Sequence, residues 1–381
     1  MKYKSVISFV SETLKRSLPI LLMLRKPDWA ISFPLSVDPN RLDKKTIGEV
    51  VANSCLVTSA KMSVSSEKNG LMLYYNEYSF YSQKVVMALY EKHLLFTPHS
   101  IELTGEQYQP WFLQINPKGE VPVLQDTGKI ISDSARIIDY LEDNFSNGDT
   151  PRLVPQDQGT EVKHKVTNFR NLIDKINGNI LTVGSLLHPE LATGSKKVPF
   201  IAPVRSRLLN ADKENARNLK KYAEENPDAR QMLLEKADNQ EKKREKLLNK
   251  DEFVKLLNET EKVFDKIEAE LAEHDANGRQ DWWLCTDRFT VADISLTILM
   301  LRISQIGMEP YFWIEGKRPQ VEKYFARVQQ RESYKKTAPT AFSLVKTIFK
   351  TQTSLILGVS MAAAVILVVG GWFLVRKLRG K

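Results

Sequence analysis

Residues 121–145 read VPVLQDTGKIISDSARIIDYLEDNF, and this stretch decides the fold of the first half of the chain. The segment VPVLQD (121–126) predicts a strand that ends in a turn, and KII (129–131) predicts the next strand. The segment DSARIIDYLEDNF (133–145) predicts a helix, because its isoleucine and leucine side chains recur on one helical face. Two strands followed closely by a helix are typical of an α/β domain.

The preceding residues extend the same pattern. LMLYY (71–75) predicts a short buried strand, SFYSQKVVMALYEKH (79–93) a helix, and HSIEL (99–103) a second strand. QYQPWFLQINP (107–117) predicts a short helix or a turn. The resulting order β-α-β-α-β-β-α predicts an α/β domain with a mixed sheet over residues 70–150.

The pattern changes beyond Pro155, where the strand signals end. Residues 160–187 predict helix, and residues 195–250 form a charged stretch with 15 basic and 9 acidic side chains. The sequence ENPD (225–228) interrupts this stretch, so we expect a helical pair. Such a charged pair is either a solvated hairpin or an arm that binds a partner protein, and the sequence leaves both interpretations open.

The helical half contains one clear helix start, FTVADISLTILMLRI. Thr290 and Asp293 have the spacing of a capping box, in which the Asp293 carboxylate bonds to the Thr290 amide. The helix that follows is almost wholly apolar, which predicts burial at the centre of a bundle. Amphipathic helices are expected before and after it, at 252–271 and 318–331. Together these segments predict an all-α domain over residues 155–335.

Composition narrows the classes of function. The net charge is +9, but no basic stretch is interleaved with aromatic residues, so we expect no nucleic-acid partner. Two cysteines, Cys55 and Cys285, fit a reducing compartment and exclude a disulfide framework. Cys285 is interpreted as a buried structural thiol or as a redox sensor. The scattered histidines and the lack of a CxxC motif predict no metal site.

Between Lys350 and Arg376 lie 25 residues without a charge, TQTSLILGVSMAAAVILVVGGWFLV. A helix needs about 20 apolar residues to cross the hydrocarbon core, so residues 354–375 are predicted to be a transmembrane helix. The preceding segment, 338–353, has one apolar side flanked by lysines and is predicted to lie on the lipid bilayer. A basic tail, 376–381, follows, and we expect a tail-anchored protein with its bulk in the cytosol. The short basic tail favours the mitochondrial outer membrane.

The remaining features near the two ends of the sequence are less specific. Residues 1–69 contain few periodic elements, and we expect them to form a disordered extension. Gly358 and Ala362 have the small-xxx-small spacing with which two membrane spans pack, so a homodimer is left open.

The segments NPKGEVPVL, SDSARIIDYL and FTVADISL, in this order, resemble the glutathione transferase superfamily over about residues 70–332. The resemblance implies a thioredoxin-like N-terminal domain that binds glutathione, followed by the helical domain. It implies that the Val121–Pro122 bond is cis and that Val121 offers its backbone to the cysteinyl part of glutathione. Asp133 and Ser134 match the pair that binds the γ-glutamyl group, whose carboxylate would meet free amides at the helix N-terminus.

The segments SFYSQKV, LLHPEL, AEENPD and GKRP, together with the apolar run near the end, resemble the ganglioside-induced differentiation-associated proteins. This resemblance implies a long helical insertion, here about 188–250. If the charged stretch is a partner-binding arm, cytosolic or outer-membrane proteins would bind through this insertion. It also implies a tail anchor in the mitochondrial outer membrane, with some members in peroxisomes. The implied roles are mitochondrial fission, network morphology and redox homeostasis. Residues 1–69 lie outside the resemblance.

The segment YSFYSQK (78–84) opens the first helix without a cysteine, which excludes a disulfide oxidoreductase. By resemblance to serine-type transferases, Ser79 is the candidate hydroxyl that activates the glutathione thiol, and Ser82 is the second choice. Ser79 equally suits a helix N-cap, and Tyr81 is bulky beside the expected thiol position.

Two functions follow from these residues. The first is a regulator of mitochondrial fission that works through binding, with weak or absent transferase activity. The second is an active membrane-bound transferase that conjugates glutathione to electrophiles.

Overall fold

The computed structural model describes residues 70–343 except Asp149 and Phe342. The extension 1–69, the transmembrane helix predicted at 354–375 and the basic tail lie outside the described residues, as does most of the predicted amphipathic segment. Within the described part of the chain, no helix combines the length and the apolar character that crossing a bilayer requires.

The first half is an α/β domain. Its strands are β1 Leu71–Tyr75, β2 Thr97–Ser100, β3 Val123–Asp126 and β4 Lys129–Ser132. Its helices are α1 Phe80–Glu91, α2 Pro110–Ile115 and α3 Ser134–Asn144, with a 3-10 turn at Glu106–Tyr108. The sheet order is β2-β1-β3-β4, in which β1 and β2 are parallel and the other two pairs are antiparallel. The predicted mixed sheet is confirmed.

Strand β2 begins and ends two or three residues earlier than the sequence predicted. The alternation in HSIEL pointed to 99–103, but the strand is Thr97–Ser100, and all four of its side chains are exposed. Ile101, which follows, is buried, and its amide donates to the Tyr75 carbonyl at 2.8 Å. An edge strand has one neighbour, so its pairing with β1 decides its limits more than its apolar side chains do.

The two faces of the sheet are covered differently. Leu73, Leu124 and Ile131 belong to the main apolar core, which continues into α1, α3 and the helical half. The opposite face has a small separate cluster that includes Tyr74 and Phe112, where α2 packs. Burying each such side chain contributes about 1.5–3 kcal/mol, so the face against the helical half is the more stabilising one.

The second half contains helices and connecting loops and no strand among its described residues. Its helices are α4 Gly159–Asp174, α5 Gly178–Leu187, α6 Ala202–Glu225, α7 Arg230–Leu248, α8 Lys250–Ala276, α9 Val291–Ile306, α10 Glu309–Phe312, α11 Pro319–Val328 and α12 Glu332–Thr337. Every residue of α9 is buried, and α9 contacts α1, α4 and α5. The prediction of a central apolar helix is confirmed.

The predicted capping box is present at the start of α9. The Thr290 amide donates to Asp293 Oδ2 at 2.8 Å, and the Thr290 hydroxyl donates to the same oxygen at 2.7 Å. The other Asp293 oxygen accepts from the Leu284 amide at 2.8 Å and from the Tyr324 hydroxyl at 2.7 Å. One carboxylate therefore starts the helix and also ties it to α11.

The charged insertion forms a hairpin of α6 and α7, with the expected break at a 3-10 turn, Pro227–Ala229. The two helices share a small apolar cluster of their own. The hairpin also reaches the α/β domain. Tyr222 packs against Tyr108 with ring centroids 5.5 Å apart and donates its hydroxyl to the Thr104 carbonyl at 3.2 Å. The hairpin is therefore docked on the α/β domain and also presents charged side chains to solvent.

Candidate functional site

The register of the sheet brings three sequence-predicted segments to one end of the strands. This end of the sheet is called the sheet edge below. Tyr74, near the end of β1, pairs with Val123 at the start of β3, and Val123 pairs with Ser132 at the end of β4. The α1 start after β1, the Val121 segment before β3 and the α3 start after β4 therefore lie side by side. These are the segments on which Ser79, Val121, Asp133 and Ser134 lie.

Ser79 is the N-cap of α1 and is half-buried. Its backbone is extended, and its side-chain oxygen accepts from the Ser82 amide at 3.3 Å, which satisfies one free amide of the helix. The proton of the hydroxyl remains available to a thiolate, so capping and thiol recognition are compatible. Ser82 is fully buried, and its oxygen accepts from the Asn76 amide at 3.3 Å. Of the two serines, Ser79 is the one with access to the sheet edge.

The Val121–Pro122 bond is cis, as the resemblance implies. Val121 is half-buried, and its amide and carbonyl make no backbone hydrogen bond within the described residues. The Glu120 carbonyl just before it accepts from the Asn116 side chain at 2.8 Å. The loop is thus fixed on one side of Val121, while the backbone of Val121 itself is left to bind an extended peptide.

Asp133 is the N-cap of α3, and Ser134 is its first residue. Asp133 Oδ1 accepts from the Ala135 amide at 3.0 Å and from the Arg136 amide at 3.1 Å. The expectation that these helix amides are free is therefore wrong, because the aspartate caps its own helix. What remains for an incoming carboxylate is the amide and the hydroxyl of Ser134. Asp133 has a positive φ of 78°, which is costly for a residue other than glycine and is often found at binding sites.

Arg302, near the end of α9, was not singled out from the sequence. Its guanidinium donates to the Tyr78 carbonyl at 2.7 Å and to the Thr182 hydroxyl at 3.0 Å, while its Nε has no partner among the described residues. Burial lowers the pKa of Arg302 to about 10, so the group remains charged at neutral pH. The signal was a single basic residue in an otherwise apolar helix. Arg302 holds the loop immediately before Ser79.

Tyr81 is the second residue of α1 and is half-buried. Burial raises the pKa of the Tyr81 phenol, and the carboxylates of Asp174, Asp133 and Glu120 raise it further, while Arg302 acts in the opposite direction. The phenol is therefore protonated at neutral pH and is a hydrogen-bond donor. The sequence identified Tyr81 as a bulky residue beside the expected thiol position, and its protonated phenol is a polar group influenced by Arg302 and by these carboxylates.

Ion pairs connect the helices around the site. Lys84 on α1 is buried and binds Asp174 on α4 at 2.6 Å. Arg170 on α4 binds Asp139 on α3 at 2.5 Å and donates to the Ala135 carbonyl at 3.1 Å. The helices whose N-termini form the sheet edge are thus cross-linked through α4.

Cys285 lies away from the sheet edge, in the turn that precedes α9. It is buried with 1% exposure, and burial raises the pKa of its thiol. Deprotonation and oxidation are both disfavoured for such a thiol, so its position favours the structural interpretation. Among the described residues, no group of three or more His, Cys, Asp or Glu side chains is arranged to hold a metal ion.

Comparisons with known proteins agree with this architecture. The family model for the N-terminal domain of glutathione S-transferase matches residues 73–150, and the model for the C-terminal domain matches residues 198–332. The human ganglioside-induced differentiation-associated protein 1-like 1 is 34% identical over 299 residues, which cover 73% of this chain and 80% of the relative. This chain belongs to the ganglioside-induced differentiation-associated protein family.

A further curated relative and a solved structure are similar to this chain at lower identity. The glutathione S-transferase TCHQD of Arabidopsis thaliana is 25% identical over 280 residues, which cover 72% of this chain and 91% of the relative. The crystal structure of the beta-etherase LigF from Sphingobium is similar in fold, with a TM-score of 0.50 and 23% identity over 70% of this chain and 98% of that chain. The thioredoxin-like domain and the helical domain predicted from the sequence are therefore confirmed.

Proposed function

We propose that this protein is a glutathione-binding regulator of mitochondrial fission and network shape, attached to the outer mitochondrial membrane by residues 354–375. The observation that carries glutathione binding is the sheet edge. It combines the cis Val121–Pro122 bond with a Val121 backbone that makes no backbone hydrogen bond among the described residues. Ser79 and Ser134 lie at the starts of two helices, and Arg302 binds the carbonyl of Tyr78, just before Ser79. The 25-residue run without charge supports the membrane attachment. We attribute weak or absent turnover to the bulky Tyr81 side chain, which the sequence places two residues after Ser79.

Glutathione would lie along the sheet edge. The backbone of Val121 would pair with the cysteinyl residue, and the Ser134 amide and hydroxyl would receive the γ-glutamyl carboxylate. The thiol would then lie near Ser79. The Ala135 and Arg136 amides already donate to Asp133, so fewer donors remain for the γ-glutamyl carboxylate. This is consistent with a modest affinity for glutathione.

A calorimetric titration of the full chain with glutathione tests the binding. A saturable heat at millimolar glutathione, lost in Ser134→Ala, is expected. No heat at any concentration would contradict glutathione binding and leave a transferase-like scaffold.

The second candidate function is an active transferase. It is favoured by the Ser79 hydroxyl, whose proton is free to stabilise a thiolate. Glutathione-dependent conjugation of 1-chloro-2,4-dinitrobenzene, lost in Ser79→Ala but retained in Ser82→Ala, would establish it. Equal conjugation rates with and without the protein would rule out transferase activity.

Membrane attachment and fission have their own tests. Alkaline extraction of mitochondria should leave the full chain in the pellet, and replacement of two leucines within 354–375 by lysines should release it. A released variant that still restored network shape in deficient cells would contradict the need for the membrane. Deletion of 188–250 should abolish the effect on network shape if the α6–α7 hairpin binds the partner protein.

A further inference from the structure

Helix α6 of the charged hairpin contacts the α/β domain through one aromatic side chain. The Tyr222 ring packs against the Tyr108 ring, with centroids 5.5 Å apart, and the Tyr222 hydroxyl donates to the Thr104 carbonyl at 3.2 Å. Gly105, which follows Thr104, lies so close to the Tyr222 phenol that a Cβ atom would clash with it. The hairpin therefore packs closely against the backbone of this loop.

Tyr108 connects this contact to the loop before Val121. A Cβ atom on Gly119 would lie 2.8 Å from Tyr108 Cδ1 and 2.9 Å from the Gln107 carbonyl oxygen, so the tyrosine ring packs directly on the backbone at Gly119. The φ of Gly119 is +59°, and its amide donates to the Asn116 carbonyl at 2.8 Å. The Tyr108 ring thus lies between the hairpin and the turn that precedes Val121.

Helix α7 contacts the same loop through an ion pair. The Lys236 ammonium pairs with the Glu120 carboxylate, and 25% of the lysine side chain and 57% of the glutamate side chain are exposed. Glu120 directly precedes Val121, and its carbonyl accepts from the Asn116 side chain at 2.8 Å. Because an ion pair this exposed contributes little to stability, its removal should alter the loop without unfolding the domain.

The hairpin also has contacts of its own that do not involve the α/β domain. Its two helices share a buried apolar cluster, which consists of Ala216, Leu219, Ala223, Leu233 and Ala237. The Lys220 ammonium on α6 pairs with the Glu241 carboxylate on α7 at 2.7 Å. Loss of the contacts made by Tyr222 and Lys236 therefore leaves the internal contacts of the hairpin in place.

We propose that the docked hairpin is a positioning element of the glutathione site, which holds the loop before Val121 in its binding conformation. Tyr222 and Lys236 act through that loop and are positioning residues. The inference rests on the glutathione binding proposed above. By linkage, a protein that removes the hairpin from the α/β domain lowers the affinity for glutathione, and bound glutathione weakens the binding of that protein by the same factor.

Hydrogen–deuterium exchange of the unliganded full chain in detergent micelles tests the positioning itself. The amides of Tyr108 and Gly119 report on the loop, because each donates to a nearby backbone carbonyl, at 2.9 and 2.8 Å respectively. We expect both amides to exchange about threefold faster in Lys236→Glu and in Tyr222→Leu, while the amides of α6 and α7 keep their wild-type rates. Unchanged exchange at both amides in both variants would overturn the proposal.

A charge swap separates positioning from a general loss of structure. Lys236→Glu combined with Glu120→Lys restores an ion pair of opposite orientation, and we expect it to return the exchange of both amides toward the wild-type rate. Lys220→Glu is the matched control, because it makes the same change of charge but breaks an ion pair inside the hairpin. Loop exchange that is as fast in Lys220→Glu as in Lys236→Glu, or that does not recover in the charge swap, contradicts the assignment.

Calorimetric titration of the same variants with glutathione measures the consequence for binding. We expect Lys236→Glu and Tyr222→Leu to lower the affinity about three- to fivefold, with recovery in the charge swap. Tyr222→Leu leaves the net charge unchanged, so a loss of affinity in that variant is not an effect of charge on anionic glutathione. Wild-type affinity in both variants, despite faster loop exchange, would disprove the coupling. No heat with wild type would contradict glutathione binding, whereas the exchange rates decide separately whether the hairpin positions the loop.

Discussion

Helix α9 buries two charged side chains, Asp293 at its start and Arg302 near its end, and they are treated very differently. Asp293 is completely buried and accepts four hydrogen bonds. Arg302 is 3% exposed, donates to two neutral oxygens, and has an unpartnered Nε and no carboxylate partner among the described residues. A fully bonded buried polar group serves the fold, whereas an incompletely bonded one next to a candidate site points to function.

The largest effect is expected for Asp293→Ala. It leaves the amides of Leu284 and Thr290 and the Tyr324 hydroxyl without an acceptor in a dry core, which should cost about 3–5 kcal/mol in the free energy of unfolding. Urea denaturation followed by circular dichroism measures this cost. Asp293→Asn retains part of the bonding and should lose less. A loss below about 1 kcal/mol in Asp293→Ala would break the comparison, since this carboxylate would then not be structural.

The next effect is expected for Arg302→Met. Removing a buried guanidinium with incomplete bonding offsets the lost hydrogen bonds, so stability should change by no more than about 1 kcal/mol. The loop at Tyr78 loses its support, and we expect glutathione affinity to fall about tenfold, or about 1.4 kcal/mol. Calorimetry and urea denaturation on the same preparation separate the two quantities. A large loss of stability with unchanged affinity would make Arg302 a structural residue like Asp293.

A smaller effect is expected for Ser79→Ala, which removes the N-cap of α1. Loss of the bond to the Ser82 amide should cost about 1 kcal/mol of stability. Ser79→Gly retains most of the capping and serves as the control, because glycine costs only a few tenths of a kcal/mol at an N-cap. If the Ser79 hydroxyl also contacts the thiol, both variants should raise the pKa of the thiol of bound glutathione. Thiolate absorbance measures this pKa. Equal thiol pKa values in wild type and Ser79→Gly would restrict Ser79 to capping.

The smallest effect concerns Lys84, a buried charge with one carboxylate partner. Burial lowers the pKa of Lys84 below its ordinary 10.5, although Asp174 acts in the opposite direction. Between the lowered folded pKa and 10.5 the unfolded chain binds more protons, so this group makes stability rise as pH rises through that window. Wild type should therefore gain stability relative to Lys84→Met as the pH rises toward 10.5. Parallel stability curves for the two proteins would contradict this assignment.

Much of the site could be predicted from the sequence because its signals are local. The strand and helix order and the Thr290–Asp293 capping box depend on neighbouring residues, and the structure confirms them. The cis Val121–Pro122 bond was implied by the family resemblance, and the structure contains it. The free helix amides at Asp133 were predicted wrongly for a local reason as well. An aspartate at an N-cap accepts hydrogen bonds from the first amides of its own helix, as Asp133 does from Ala135 and Arg136.

The sequence by itself determined the two-domain architecture, the membrane-span prediction and the segments that meet at the sheet edge, since each follows from the periodicity of short stretches. Tertiary structure decided the limits of β2, the docking of the α6–α7 hairpin and the surroundings of Tyr81. It also decided the role of Arg302, whose partner Tyr78 lies 224 residues away in the chain. Contacts between residues so far apart depend on how α9 packs against α1, and no local pattern specifies that packing.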